Sequence, residues 1–206
     1  MDASVLRGVF LVVLAYLVGS IPFGMVVAKA FGGVVDLRKA GSGNIGATNV
    51  ARTLGRGAGA LTLLLDAGKA VFVLALASYL LGAGAHVWLA LVGGAAFLGH
   101  IFPVYLRFKG GKGVATALGV VAYLSPVTVF VLFVLFVVVV YFTRYISLGS
   151  LCAAICLPLV MALFEGPRSY LNLSLMIAFL VVYTHRENIH RLLAGEENKF
   201  GNPPAA

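Results

Sequence analysis

Three short polar stretches hold the residues of this chain that could do chemistry. The first runs from Gly41 to Arg52 and contains Ser42, Gly43, Asn44, Gly46, Thr48 and Asn49. Its glycines free the backbone for close approach to a ligand. Its hydroxyls and amides supply neutral hydrogen-bond groups, and Arg52 adds a fixed cation with a forked donor face. Such a set suits a phosphate or a carboxylate. Taken alone, it is equally a flexible polar loop between helices. The second stretch is Lys109-Gly110-Gly111-Lys112-Gly113-Val114-Ala115-Thr116. Consecutive glycines let backbone N–H groups turn toward an anion, and Lys112 adds charge. The alternative is a basic turn at the membrane surface. The pattern differs from a nucleotide-binding P-loop, which needs Ser or Thr directly after the lysine, where Gly113 stands. That argues against ATP. The third stretch runs from Thr184 to Arg191. His185 and Asn188 lie three apart and share a helical face, and Glu187 and Arg191 are spaced for an i, i+4 ion pair. His185 could serve as a base near neutral pH, and Asn188 could orient a hydroxyl. Glu187 and Arg191 read as a local structural pair.

The elements that must position these residues are apolar. The chain has 206 residues, of which 61% are hydrophobic and 11% charged, and its mean hydropathy is +1.04. A soluble domain carries roughly 25% charged residues. The composition therefore predicts an all-α integral membrane protein, with residues 1–206 forming one membrane domain. A spanning helix needs about 20 apolar residues. Runs fall at about 6–30, 58–81, 86–106, 114–124, 127–142, 146–164 and 170–183, the last continuing helically through 184–191. Pro22 and Gly24 predict a kink in the first run, which is too long for a signal-peptide core and reads as a retained helix. The run at 114–124 is too short to span unless it borrows from its flanks, sits in thinned lipid or is re-entrant.

Charge orients the bundle. Arg38, Lys39, Arg52 and Arg56 fall in one loop, Arg107, Lys109 and Lys112 in another, Arg144 in a third, and Arg186, Arg191 and Lys199 after the last run. The alternate loops are almost bare. Positive-inside bias then gives a seven-transmembrane-helix bundle with the N-terminus outside and the C-terminus cytoplasmic. Parity requires the fourth run to cross. All three polar stretches would reach the cytoplasmic face, which suits an amphipathic substrate with its head in water and its tail in lipid. The formal net charge of +8 is explained by cytoplasmic loops and does not call for nucleic acid.

Within the apolar runs, Asp66 and Lys69 are three apart and read as a structural pair facing the bundle. His100 reads as a satisfied structural histidine. Ser150 lies where it could donate to a bound oxyanion. His86 begins its run on the opposite side. Cys152 and Cys156 read as small core residues, and no His, Cys, Asp and Glu cluster makes a metal site. A small transporter for a phosphorylated solute is the rival class. It would place its polar groups at the midplane, where only Asp66 and Lys69 lie.

Gly41 to Arg52, Lys109 to Thr116 and Thr184 to Glu196 together resemble the three cytoplasmic motifs of the bacterial acyl-phosphate:glycerol-3-phosphate acyltransferases. Spacing, length and the seven-span layout agree along essentially the whole chain. The resemblance implies transfer of a fatty acyl group from acyl phosphate to the 1-hydroxyl of glycerol 3-phosphate, giving lysophosphatidic acid and phosphate, the first step of phospholipid synthesis. It implies no metal, no cofactor and no acyl-CoA or acyl carrier protein as direct donor. It implies residence in a bacterial cytoplasmic membrane with the site facing the cytoplasm. The partners are then glycerol 3-phosphate, a long-chain acyl phosphate and the bilayer, with no nucleic acid and no obligate protein partner. By this resemblance Ser42, Arg52 and Lys112 hold the glycerol 3-phosphate head, and His185 and Asn188 position its hydroxyls. Asn44, Thr48, the Gly111 and Gly113 backbone and Ser150 cradle the acyl phosphate, with Gly43, Gly46 and Asn49 in the same substrate-binding loop. A mixed anhydride needs no enzyme nucleophile, and no Ser or Cys stands beside an obvious His base. Direct attack is expected, with the proton passing to His185 or to a substrate phosphate.

Overall fold

The structure, a computed structural model, describes residues 2–32, 36–164 and 167–201. Residues 33–35, at the start of the first polar loop, and 165–166, in the turn after the sixth run, lie outside the described residues. All regular structure among the described residues is helical. Among the described residues, five helical segments are long and apolar enough to cross a membrane: Ala3–Phe31, Arg56–Leu81, His86–Leu106, Pro126–Thr143 and Ile146–Leu163. Val114–Leu124 and Arg168–Thr184 are apolar but shorter. At 1.5 Å per residue, the 11 residues of Val114–Leu124 rise about 16 Å, roughly half of a hydrocarbon core. The chain divides into two compact units, residues 1–123 and 124–206.

In the first unit the opening run is two helices, α1 (Ala3–Gly19) and α2 (Phe23–Gly32). Pro22 accounts for the break, because it has no N–H to give and its ring crowds the preceding turn. The Ser20 N–H and Oγ both donate to the Tyr16 carbonyl. The carbonyl of Ile21, freed at the break, is taken by Lys69 Nζ at 2.9 Å. The first polar loop is partly helical, since it contains α3 (Ala47–Leu54). Val50 of α3 packs with Val27, Ala28, Leu37 and Ala58, and Leu54, Leu61 and Leu65 close over them. This core lays α3 on α2 and on α4 (Arg56–Leu81). The contact is so close that a Cβ on Gly59 would run into Ala51 and the Ala47 carbonyl. The helix α5 (His86–Ile101) crosses α1 through Gly19 and Gly99, where each backbone touches the other without an intervening side chain. Small residues at such crossings let backbones meet in lipid, where dispersion replaces the hydrophobic effect as the packing force. A 3₁₀ turn at Val104–Leu106 and the glycine-rich segment lead into α6 (Val114–Leu124). Gly119 seats α6 against the Ala67 carbonyl of α4.

In the second unit α7 (Pro126–Thr143), α8 (Ile146–Leu163) and α9 (Arg168–Thr184) pack in sequence. Gly149 admits Phe136 and Val140 of α7 against α8. Much of α7 is exposed and apolar, including Phe130, Phe133, Val134, Val137, Tyr141 and Phe142, as a lipid-facing helix requires. The expected helical continuation past Thr184 is broken at His185. A separate α10 follows (Arg186–Ala194), capped by Gly195 in the left-handed conformation at φ 74°. Residues 195–201 then run back to the start of α8, where the Phe200 N–H meets the Arg144 carbonyl at 2.6 Å.

Candidate active site

One side chain builds the first polar loop. Asn49, 2% exposed, accepts the Ser42 N–H on Oδ1 at 2.8 Å. Its Nδ2 donates to the carbonyls of Leu37 at 3.1 Å, Ala40 at 3.0 Å and Asn44 at 2.7 Å. Carbonyls turned in on a buried side chain must be satisfied there, and this amide satisfies them. Gly41 is required beside it, with φ 57° and no room for a Cβ next to Asn49 Oδ1. Asn44 Oδ1 takes the Gly46 N–H at 3.0 Å, an Asx turn that leads into α3. Ser42, Gly43 and Thr48 are left exposed, and Arg52, in the last turn of α3, is half-buried. The expected substrate-binding residues of this stretch therefore divide. Ser42, Thr48 and Arg52 offer side chains outward, while both N–H groups of Asn49 are spent inside the loop.

The glycine-rich loop is built from backbone. The Gly110 N–H donates to the Ile101 carbonyl at 3.0 Å and the Gly111 N–H to the His100 carbonyl at 3.2 Å. These amides point at the end of α5, so of the expected Gly111 and Gly113 backbone the Gly111 N–H is spent inside the fold. Just before them Arg107 and Phe108 take consecutive positive φ values of 52° and 63°, an uncommon conformation for bulky residues. It folds the chain back so that the Phe108 N–H reaches the Pro103 carbonyl. Gly113, at φ 86°, gives its carbonyl to Ala117 at 2.8 Å and so caps α6. The first-turn amides of α6 have no acceptor within the helix. Thr116, in that turn, is fully buried, and its Oγ1 has no hydrogen-bond partner. Hydroxyls elsewhere in the bundle bond back one turn, as Thr53, Thr62, Thr143 and Ser150 do. Lys112, half-buried, stands just before this first turn of α6. The two loops of the first unit meet, since Arg38 Nη2 donates to the Lys109 carbonyl at 3.3 Å.

Beneath the glycine-rich loop, Lys69 Nζ lies 2.8 Å from Asp66 Oδ1 and 3.1 Å from His100 Nδ1. The structural pairing expected of Asp66 and Lys69 is present, with His100 as a third member.

In the second unit His185 and Asn188 are both buried. His185 Nδ1 is 2.8 Å from the Val181 carbonyl. A carbonyl can only accept, so Nδ1 carries a proton. Asn188 Nδ2 donates to Glu197 Oε1 at 2.7 Å, which orients the amide. Glu197 also takes Ser147 Oγ at 2.9 Å and Arg191 Nε at 2.8 Å. Partial burial pushes this carboxyl up, but the hydrogen bonds from Arg191, Asn188 and Ser147 outweigh it and hold it below the usual glutamate value. Arg191 is thus paired with Glu197 rather than with Glu187, which is exposed. Glu197 was hidden in the sequence because its partners come from α8 and α10. The turn at Gly195 was the available signal that the chain returns. Ser150 Oγ donates to the Ile146 carbonyl at 2.9 Å, so its proton is already placed. Among the described residues, no group of three or more His, Cys, Asp and Glu could hold a metal ion.

Residues 9–195 match the family described as glycerol-3-phosphate acyltransferase. A glycerol-3-phosphate acyltransferase of Geotalea daltonii is 50% identical over 192 residues, covering 93% of this chain and 97% of that protein. The chain is also similar to the crystal structure of PlsY (YgiH), an integral membrane glycerol 3-phosphate acyltransferase, in its glycerol 3-phosphate form. There the TM-score is 0.89 at 45% identity, over 95% of this chain and 96% of that one. The lysophosphatidic acid form of the same protein gives 0.87 at 44% identity, with the same coverage. The chain belongs to the glycerol-3-phosphate acyltransferase family.

Proposed function

We propose that the protein moves a fatty acyl group from a long-chain acyl phosphate to the 1-hydroxyl of glycerol 3-phosphate, by direct attack. The observation that carries this reading is the pair of joined loops in the first unit, each with its own cation. A reaction between two phosphate-bearing substrates needs fixed positive charge, and the joined loops bring Arg52 and Lys112 to the glycerol 3-phosphate head from two sides. The glycerol 3-phosphate and lysophosphatidic acid forms of the solved relative support glycerol 3-phosphate as acceptor and lysophosphatidic acid as product.

In this scheme Ser42, Arg52 and Lys112 hold the glycerol 3-phosphate head. Nε2 of His185 accepts the hydrogen bond of the attacking hydroxyl, and Asn188 orients it. Asn44, Thr48, the first turn of α6 and Ser150 face the acyl phosphate. The hydroxyl oxygen forms a bond to the acyl carbon, and the bond from that carbon to the phosphate oxygen breaks. Phosphate leaves with the electron pair, and the hydroxyl proton passes to Nε2 or to the departing phosphate. A mixed anhydride needs no covalent intermediate, so proximity and charge stabilisation suffice. The topology proposed with it has seven crossings, the N-terminus outside, and the three polar stretches at the cytoplasmic face of a bacterial inner membrane.

The test is phosphate release by the purified protein given palmitoyl phosphate, with and without glycerol 3-phosphate. Release that depends on glycerol 3-phosphate, with lysophosphatidic acid as co-product, is expected. Release only from acyl-CoA or acyl carrier protein overturns the donor assignment.

A further inference from the structure

Three ionisable side chains of the first unit have no part in the scheme above. Asp66, Lys69 and His100 are 1%, 5% and 5% exposed. Lys69 Nζ donates to Asp66 Oδ1, to the Ile21 carbonyl and toward His100 Nδ1, at 2.8, 2.9 and 3.1 Å. These three contacts surround the ammonium, with Nδ1 as the ring nitrogen turned toward the pair. The Asp66 carboxylate is farther from that nitrogen, at 3.4 Å. The other ring nitrogen, Nε2, faces the glycine-rich loop. A Cβ on Gly111 would collide with this Nε2, and one on Gly110 with the His100 carbonyl. That same carbonyl receives the Gly111 N–H.

One residue therefore meets the loop with both its ring and its backbone, and a buried ion pair fixes the ring. Apolar residues of similar volume often replace a buried ion pair without loss of stability, so its presence here calls for another use. We infer that Asp66, Lys69 and His100 are positioning residues for the glycine-rich loop. Through Gly110 and Gly111 they fix where Lys112 and the first turn of α6 stand, and so set the affinity for the phosphate-bearing acceptor. The inference rests on the assignment of Lys112 to the glycerol 3-phosphate head.

The experiment is a double-mutant cycle on the purified protein, reading kcat and KM for glycerol 3-phosphate with palmitoyl phosphate. His100→Asn offers Lys69 an acceptor but removes the Nε2 edge, and Gly111→Ala pushes the loop off that edge. Each is expected to raise KM about tenfold with kcat within about threefold. The double variant is expected to be no worse than the weaker single, because both changes break one contact. A role confined to stability would lower the thermal midpoint and the active fraction and leave KM in place. KM within about twofold of wild type in His100→Asn, or effects that multiply in the double, overturns the inference. The double substitution Asp66→Leu with Lys69→Met strands no charge and provides a second route if His100→Asn does not purify. It too must raise KM, and an unchanged KM overturns the inference. Glycerol 3-phosphate-induced thermal stabilisation of the same variants is read in parallel without turnover. Coupling there, with no phosphate release from palmitoyl phosphate in the wild type, would sink the donor assignment and leave the positioning role standing. Normal release with no coupling would do the reverse.

Discussion

The two polar loops of the first unit hold comparable cations in opposite ways. The loop at 36–46 is closed by a side chain: Asn49 gathers three carbonyls and one N–H. The loop at 107–113 is closed by its own amides on the carbonyls of His100, Ile101 and Pro103, with His100 behind them. The first loop should therefore fail when atoms are removed, and the second when atoms are added. The first depends on a single amide that few other residue types can copy. The second depends on the absence of side chains.

The sharpest way to break the comparison is at Asn49. Asn49→Ala leaves the buried Leu37 carbonyl and the part-buried carbonyls of Ala40 and Asn44 without this donor, at a cost of roughly 3 kcal/mol. It should also release Arg52 from its place on α3. Activity is expected to fall below detection, with a lower thermal midpoint. Asn49→Asp should be as damaging, because it keeps the acceptor for Ser42 and sets a carboxylate against three carbonyls. Wild-type kinetics in either variant would show that the loop does not depend on this side chain.

Gly110→Ala tests the other mode. Its Cβ would meet the backbone oxygens of His100 and Ile101, which cannot swing aside as a flexible side chain can. The loop must lift, and a displacement near 1 Å at a binding group costs about 100-fold. The loss should appear in kcat/KM for glycerol 3-phosphate, with most of the folded protein retained. A neutral outcome would mean that the docking on α5 is dispensable.

Arg52→Lys separates the cation from the loop that carries it. The charge remains, but the forked donor face is lost. Losing one charge-assisted hydrogen bond costs about 2 kcal/mol, or about 30-fold in kcat/KM. Unchanged kinetics would leave Arg52 as a simple charge at the membrane surface.

The features legible in the sequence were those set by local pattern. Pro22 broke the first run because proline cannot continue a helix. Asp66 and Lys69 were paired because two charges in lipid three residues apart have few alternatives. The polar stretches stood out because nothing in them helps a helix cross a bilayer. What stayed hidden depended on partners distant in sequence or on backbone angles. Asn49 looked like a ligand for substrate because its type says nothing about which carbonyls lack donors. The glycines of the second loop looked like an anion nest, but the carbonyls at the end of α5 claimed the amides of Gly110 and Gly111. Arg191 has Glu187 at helical spacing, and the better partner arrives only after Gly195 turns the chain back.

Glu197 extends the comparison to a segment closed by a charged side chain. Like Asn49, it gathers donors from several places, here Ser147, Asn188 and Arg191, but its hold depends on ionisation. Its carboxyl is held below the usual glutamate value, so the folded state binds its proton more weakly than the unfolded chain does. The stabilisation is complete above the ordinary glutamate range and is lost as pH falls through and below it. Glu197→Gln keeps the shape and removes the charge. It should cost about 1 kcal/mol, or about fivefold in kcat, since Asn188 loses its charged anchor. The variant should also flatten the acid limb of the thermal midpoint against pH. The hydrogen bonds of Asn49 all go to backbone groups, so Asn49 variants should shift that curve without changing its slope. An acid limb as steep in Glu197→Gln as in wild type would mean that another carboxylate closes the segment, and the contrast between amide-closed and carboxylate-closed loops would fall.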